Sequence, residues 1–243
     1  MSISNLNFLI TSILLLGQVA PAAQNKPPDW WEKEIVLQRL KMPEDKYCGD
    51  ISLVIGLVQS GLPVNYLTPP VWKKDGFDDP VHGFQLPPRK EPWIPMSGET
   101  AKAGDVVEYY AKQAGYKVTF HKSCVILEKK EARDIYEKVL CHPYSARQTT
   151  LPDIGRTYRD IFYRQDISFN ISNDPLSMSW SQTFSISFEG GTLIDFLCEI
   201  VCRMNADPSN DAMYGWETAG MENLRIIFFD SFPRDMFEAL FVK

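Results

Sequence analysis

The chain is poor in histidine and in clustered positive charge, and it lacks the short motifs that mark the commonest active sites. It has 3 histidines in 243 residues, and its 25 Lys and Arg are outnumbered by 31 Asp and Glu, which gives a formal net charge of −6. Because no stretch concentrates Lys and Arg, we predict no binding to nucleic acid and none to anionic membrane surfaces. The sequence also has no glycine-rich phosphate loop, no serine elbow and no HExxH helix.

Long apolar runs are scarce too, and the most apolar stretch lies near the N-terminus. Phe8 to Ala20 (FLITSILLLGQVA) has the length of a secretory signal core and is short for a membrane span. Small residues at Ala20 and Ala22 match a cleavage site, although the preceding MSISNLN carries no Lys or Arg. We expect residues 1–23 to be a signal peptide and 24–34 a linker, with the remainder periplasmic or secreted. The alternative is an uncleaved anchor, through which alone the chain would contact a membrane.

The cysteines are odd in number, which bears on disulfides and on metal binding. They are Cys48, Cys124, Cys141, Cys198 and Cys202. An exported chain permits disulfides, but an odd count leaves at least one thiol unpaired, and the spacing assigns no pairs. Cys198 and Cys202 are four residues apart on a predicted helix and so share one face. Because no third or fourth ligand is nearby in the sequence, we interpret them as small core residues rather than zinc ligands.

A strand followed by a helix is predicted in the last third of the chain. Apolar residues alternate with hydroxyl residues from Met178 to Phe188, which is typical of a strand with one buried and one solvated face. The serines of this strand have no neighbouring base and no sharp turn, so we interpret them as structural rather than as nucleophiles. After Gly190, Thr192 and Asp195 predict a capping box at the start of a helix with one apolar stripe.

The order helix, glycine, strand recurs along the chain. Asp50 to Ser60 is predicted to be a helix that ends at Gly61, and Val64 to Leu67 the strand after it. Asp105 is predicted to cap a second helix, which ends before Gly115 and leads into another strand. Two looser copies lie in the second half, and four copies favour an internal duplication over coincidence. The other predicted elements are a hairpin at Lys117–Lys129, a joining helix at Glu131–Leu140, a helix and strand within Leu151–Ile171, and strands at Ala212–Glu217 and Leu224–Phe229.

Three of these segments resemble a known family. They are Ile35–Leu67 (IVLQRLKMPEDKYCGDISLVIGLVQSGLPVNYL), Ala103–Leu127 (AGDVVEYYAKQAGYKVTFHKSCVIL) and Ser185–Asn205 (SISFEGGTLIDFLCEIVCRMN), the last followed by YGWE and LRIIF. They are similar to the short N-terminal domain of secretins and TonB-dependent receptors, a small periplasmic βαββαβ module. The resemblance implies two tandem copies that bind partner proteins or pack into rings and that hold no catalytic residues.

We therefore expect an α+β fold of two tandem modules, each a mixed sheet with two helices. The first module is predicted at residues 35–130, with a proline-rich insertion at 69–95, and the second at residues 131–243, beginning with the joining helix.

Candidate reactive side chains are few. His121 and Cys124, with Cys141 and His142, offer two Cys and two His, but their spacing matches no standard zinc pattern. On a single strand, His121 and Cys124 are expected to point to opposite faces. The remaining candidates are His82, the acids Asp78, Asp79, Asp207, Asp211 and Glu217, and the tryptophans Trp30, Trp31, Trp72 and Trp93. We interpret the acids as solvated loop residues, while the tryptophans suit either a binding interface or a linker pinned onto the modules.

These residues predict no catalytic, cofactor-binding or metal-ligating site, and we expect the protein not to be an enzyme. The expected function is protein interaction or assembly in the bacterial cell envelope, with a protein partner bound by strand addition at a sheet edge. The alternative is a secreted hydrolase that uses acidic or Cys/His residues between the two halves. It requires those side chains to come within hydrogen-bond reach of one another.

Overall fold

The computed structural model of this chain describes residues 25–40, 61–68, 96–129, 132–163, 167–168, 182–219 and 224–242. Within these ranges the fold is α+β, as the sequence predicts. The predicted signal peptide, the helix at 50–60, the proline-rich insertion at 69–95 and the first part of the serine-rich strand lie outside the described residues. None of the helices in the described ranges has the length and apolar character needed to span a bilayer.

The described strands and helices are short and alternate along the chain. The strands are β1 (Glu34–Val36), β2 (Val64–Leu67), β3 (Thr100–Lys102), β4 (Lys117–His121), β5 (Cys124–Glu128), β6 (Leu140–Cys141), β7 (Tyr144–Thr149), β8 (Ile167–Ser168), β9 (Phe184–Phe188), β10 (Gly191–Thr192), β11 (Ala212–Ala219) and β12 (Leu224–Pro233). The helices are α1 (Ala103–Gln113), α2 (Ala132–Tyr136), α3 (Leu151–Tyr163), α4 (Leu193–Ala206) and α5 (Arg234–Ala239), with a 3₁₀ turn at Leu37–Arg39.

One six-stranded sheet, in the order β4-β5-β2-β11-β12-β8, forms the centre of the molecule. Strand β2 runs parallel to both of its neighbours, β5 and β11, while β4 with β5 and β11 with β12 form antiparallel pairs. Strands β2 and β11 come from different predicted modules and are hydrogen-bonded neighbours, so the expected boundary near residue 130 does not separate two sheets. The division into two tandem modules is therefore not confirmed and stays a prediction. The pairs β1–β3, β6–β10 and β7–β9 form small additional sheets.

The apolar core lies on both faces of the central sheet. Alternate residues of β5 divide between the faces: Cys124 and Ile126 pack with α3 and α4, whereas Val125 and Leu127 pack with α1 and α5. This division follows from the pleat, because successive side chains of a strand point to opposite faces. Since both faces of the middle strands are covered, β2 is buried at all four positions and shows no alternation of polar and apolar residues.

Several local predictions are confirmed. In β9, Phe184, Ile186 and Phe188 are buried and the intervening serines are exposed. Helix α4 begins with the predicted capping box of Thr192 and Asp195.

Two predicted helix boundaries are wrong. Helix α1 begins at Ala103, its N-cap is Lys102 and no side chain caps it, so Asp105 lies within its first turn instead of capping it. The joining helix, described from Ala132 onward, ends at Tyr136 instead of Leu140, because the chain then enters β6, which pairs with β10 ahead of α4.

Candidate functional site at the β4–β5 hairpin

The site lies where the β4–β5 hairpin meets helix α4. The hairpin turns through Lys122 and Ser123, whose φ angles of 48° and 66° are those of a tight two-residue turn. This turn pairs His121 directly with Cys124. Cross-strand partners lie on the same face of a sheet, so the expectation that His121 and Cys124 point to opposite faces is wrong. The expectation treated the segment as one straight strand, whereas the chain reverses between the two residues.

Asp195 joins the start of α4 to the hairpin. Its Oδ2 accepts hydrogen bonds from the backbone N–H and the hydroxyl of Thr192 at 2.8 and 2.7 Å, which completes the capping box. Its Oδ1 lies 2.7 Å from Nε2 of His121. An ionised carboxylate has no proton to donate, so Nε2 of His121 donates this bond. The bonds from His121 and then Thr192 hold the pKa of Asp195 well below its ordinary value.

Gly191 leaves the room that this arrangement needs. A Cβ atom at this position would lie 2.9 Å from Oδ2 of Asp195, the oxygen that receives the Thr192 bonds. Any side chain here would therefore displace the carboxylate, so the glycine is required by close approach.

A second pair of charges bridges the hairpin and the helix one turn further on. Lys122 Nζ donates to Glu199 Oε2 at 3.1 Å, and Arg203 Nε donates to Glu199 Oε1 at 2.8 Å. The Glu199 side chain is only 15% exposed. Burial alone raises the pKa of Glu199, but the bonds from Arg203 and Lys122 outweigh it, so that pKa lies below its ordinary value.

Two thiols form a third contact between the same elements. The Sγ atoms of Cys124 and Cys202 are 3.5 Å apart, and Cys202 also donates to the carbonyl of Lys122 at 2.9 Å. The pKa of the Cys202 thiol is raised by its hydrogen bond with Cys124 and by burial. Hydrogen bonding with Cys198 and burial likewise raise the pKa of Cys124. Both thiols are therefore protonated near neutral pH, as is Cys141, whose pKa burial raises to about 12.

These contacts bring together side chains from both halves of the chain. His121 with Asp195, Lys122 with Glu199, and Cys124 with Cys202 each join residues more than 70 positions apart. A carboxylate that holds one imidazole nitrogen can orient the ring for proton transfer at the other nitrogen. Within the described ranges, no three His, Cys, Asp or Glu side chains form a group that could hold a metal ion. The arrangement can therefore orient an imidazole and place two thiols side by side.

The other candidate residues lie elsewhere in the described structure or outside it. His142 is exposed after β6, Glu217 lies opposite Tyr66 between β11 and β2, and Asp207 accepts bonds from Ser209 on the surface. Asp211 lines an open pocket of about 390 Å³. Asp78, Asp79, His82, Trp72 and Trp93 lie outside the described residues.

That pocket is lined by Arg234, whose Nε and Nη2 atoms donate to backbone carbonyls. Arg234 donates to the backbone carbonyls of Asn205, Asp207 and Asn210 at 2.9 to 3.0 Å, so it anchors the turn between α4 and β11. The lining residues are Pro208, Asn210, Asp211, Pro233, Arg234, Asp235 and Glu238. Structural anchoring accounts for this arginine, and the pocket adds no reactive group to the hairpin site.

Trp30 and Trp31 are core residues. Their side chains are buried, and Trp31 packs edge-on against Phe120 of β4 with ring centroids 4.9 Å apart. Sequence analysis left open whether these tryptophans form a binding interface or hold the N-terminal segment on the fold. For Trp30 and Trp31 the structure shows the second.

Strand β4 forms one edge of the central sheet, and no described strand pairs with its outer side. The residues that flank a two-residue hairpin turn form a hydrogen-bonded pair, and such pairs alternate along the strands. His121, Thr119 and Lys117 therefore bond toward β5, while the N–H and C=O groups of Val118 and Phe120 point toward the edge.

The contact between His121 and Asp195 is the feature that sequence reasoning misses. Sequence patterns identify the first as a candidate ligand and the second as a helix cap, but the two residues are 74 positions apart. The sequence feature that could have indicated this contact is the predicted hairpin. Its turn places His121 on the same face as Cys124, and that face packs against α4.

Comparisons of the chain with family models, curated proteins and solved structures found no match.

Proposed function

We propose that this chain is an exported, non-enzymatic protein-interaction or assembly module of the bacterial cell envelope, and that it binds a partner protein by adding the partner's strand to β4. The observation that carries the proposal is the position of β4 at the edge of the central sheet, with the backbone groups of Val118 and Phe120 directed outward. An added strand gains affinity from such main-chain hydrogen bonds.

The surroundings of β4 suit this role because they hold the strand from both faces. On one face, Phe120 packs against Trp31 with ring centroids 4.9 Å apart. On the other face, His121 is bonded to Asp195, and Thr119 accepts a hydrogen bond from Arg133 at 2.9 Å. A strand fixed in this way loses little conformational freedom when a partner binds, which lowers the entropic cost of association.

The resemblance of Ile35–Leu67, Ala103–Leu127 and Ser185–Asn205 to the N-terminal domain of secretins and TonB-dependent receptors supports the same proposal. Modules of that family bind partner proteins or assemble into rings in the periplasm. The predicted signal peptide at residues 1–23 is consistent with such a location, because it would direct the remainder of the chain out of the cytoplasm.

Site-specific cross-linking tests the proposal. A photoreactive amino acid replaces Lys117 at the exposed end of β4, and in a matched control it replaces Ser187, an exposed position of β9. In cell envelopes we expect a cross-linked partner from position 117 and none from position 187. Val118→Pro removes one outward N–H and should abolish the cross-link. Because proline is tolerated at a sheet edge, the variant should still fold. Equal labelling at both positions, or labelling that survives Val118→Pro in a folded protein, would argue against strand addition.

A second candidate function rests on the 2.7 Å contact between His121 and Asp195. In a secreted hydrolase, Asp195 would orient the imidazole and His121 would act as a general base. This candidate predicts that the chain hydrolyses members of a panel of chromogenic esters, peptides and glycosides, and that His121→Gln abolishes the activity. The interaction module predicts instead that no substrate is turned over and that His121→Gln weakens cross-linking at position 117 without abolishing it, because the outward backbone groups and the contact of Phe120 with Trp31 remain.

A further inference from the structure

Cys124 and Cys202 place two sulfur atoms side by side between the hairpin and α4. Their Sγ atoms are 3.5 Å apart, although the residues are separated by 78 positions in the sequence. Cys124 is the first residue of β5 after the turn, and Cys202 lies near the C-terminal end of α4. Neither thiol is part of a disulfide bond in this structure, and the same holds for Cys141 and Cys198.

We propose that Cys124 and Cys202 form a disulfide bond by exchange with a disulfide donor, and that this bond ties the β4–β5 hairpin covalently to α4. A disulfide bond is about 2.05 Å long, so the two sulfur atoms must approach each other by roughly 1.5 Å. The approach starts from two sulfur atoms that already lie in van der Waals contact between the same two elements. The proposal does not depend on the function proposed for the edge of β4.

Exposure decides which thiol reacts first. Cys124 is buried with 5% exposure, whereas Cys202 is partly exposed. The Cys202 thiolate attacks one sulfur of a small disulfide such as oxidised glutathione, which breaks the donor's S–S bond, forms a mixed disulfide and releases one glutathione thiolate. The Cys124 thiolate then attacks the Cys202 sulfur and expels the second glutathione. The two protein thiols lose two electrons, and the donor becomes two thiols that take up the two protons.

The surroundings of the thiols set the time scale of this exchange. Hydrogen bonding with Cys124 and burial raise the pKa of Cys202, while hydrogen bonding with Cys198 and burial raise the pKa of Cys124. Only a small fraction of either thiol is ionised near neutral pH, so exchange is slow and the oxidised state has to be measured after hours of incubation.

Peptide mapping of the full chain tests the proposal. After incubation with oxidised glutathione and digestion without reductant, we expect a linked peptide pair that contains Cys124 and Cys202, with a mass about 2 Da below the sum of the two peptides. A loop of this length should raise the Tm by roughly 10 °C, and dithiothreitol should reverse both changes. Cys124→Ala and Cys202→Ala each remove the linked pair. Cys141→Ala, a change at another buried cysteine of the same core, should retain it.

Three results would overturn the proposal in the unmodified chain, so it stays testable even where a variant fails to fold. They are a stable glutathione adduct on Cys202 without the linked pair, a link between Cys124 and Cys198, and unreacted thiols after oxidation has reached its end point.

Discussion

The side chain of Asn65 accepts a hydrogen bond from the backbone N–H of Trp216, with 3.1 Å between Oδ1 and N. Its Nδ2 atom donates to the carbonyl oxygen of Val125 at 2.9 Å. Asn65 is 1% exposed and lies on β2, while Trp216 and Val125 lie on the neighbouring parallel strands β11 and β5. One buried amide therefore connects the backbones of three strands, and it joins the first half of the chain to the second.

Replacement of this amide should be costly. We expect Asn65→Ala to lower the free energy of unfolding by about 2–3 kcal/mol, because it leaves a buried backbone N–H and a buried carbonyl without their side-chain partner. Urea denaturation measures the loss. Ser187→Ala, at an exposed position of β9, is the control and should change the free energy by less than about 0.5 kcal/mol. Equal effects for the two variants would show that the bonds of Asn65 are not needed to join the strands.

The contrast between Asn65 and Phe184 shows what sequence patterns can and cannot predict in this fold. Strand β9 alternates exposed serines with the buried residues Phe184, Ile186 and Phe188. Such alternation in the sequence predicts a strand with one solvated face. The sequence also predicts the bounds of strand β2, but this strand is buried on both faces, so nothing in its local pattern indicates that the polar Asn65 is buried. The pairing of β2 with β11 depends on packing between distant segments, which local periodicity does not encode.

The hairpin site shows the same limit at shorter range. The capping box of Thr192 and Asp195 follows from two residues three positions apart, and sequence alone predicts it. The contact of Asp195 with His121 depends on how α4 crosses the hairpin, for which the sequence carries no local signal. In contrast, the sequence does contain the information that His121 and Cys124 lie on the same face of the sheet, because the predicted hairpin reverses the chain between them.

The contact between Asp195 and His121 can be measured against a matched capping box in the same chain. At the start of α3, Asp153 makes the same contacts with Thr150, but its further partner is the exposed Arg156. We expect Asp195→Ala to lower the free energy of unfolding by about 2 kcal/mol, since it removes both a cap and a charge-assisted hydrogen bond. Asp153→Ala should cost less, because it removes the cap and an exposed ion pair.

Thermal and urea unfolding of the two variants supply the comparison. His121→Gln provides an independent check, because it removes the cross-element contact while leaving the Thr192 cap in place. Losses of the same size for Asp195→Ala and Asp153→Ala would mean that Asp195 stabilises only its own helix.

The stabilisation by Asp195 should also depend on pH. Its pKa is lowered in the folded state, chiefly by the bond from His121, so the folded protein favours the ionised carboxylate more than the unfolded chain does. The stabilisation is therefore fully present above the unfolded pKa of about 3.9 and is lost as the pH falls through the lower, folded pKa. We expect the difference in unfolding free energy between the wild type and Asp195→Ala to shrink as the pH falls below about 4. Urea titrations across this range measure it, and a difference that grows on acidification would contradict the assignment.

Gly104 provides a test of how tightly the N-terminal segment is held on α1. A Cβ atom at this helical position would lie 2.9 Å from Cδ1 of Trp31 and closer still to other atoms of the indole ring. The ring has little freedom to move, because it is buried and packs edge-on against Phe120. Alanine normally favours a helix over glycine by about 1 kcal/mol, but here we expect Gly104→Ala to lower the free energy of unfolding by about 2 kcal/mol through overpacking.

Gly115 supplies the control for this prediction, because a side chain there would be opposed by backbone strain and not by steric overlap. Its φ of +70° disfavours a side chain, but the nearest atom to an added Cβ is Nζ of Lys129 at 3.6 Å, so Gly115→Ala should cost about 1 kcal/mol from backbone strain alone. In a Trp31→Leu background the cost of Gly104→Ala should fall or reverse sign, while that of Gly115→Ala should remain, because only the first depends on the indole. Urea denaturation of the three single variants and the two double variants measures both costs. If the cost of Gly104→Ala is the same with Trp31 and with Leu at position 31, steric overlap with the indole is not its cause, and the packing of Trp31 on α1 would have to be loose enough to admit a methyl group.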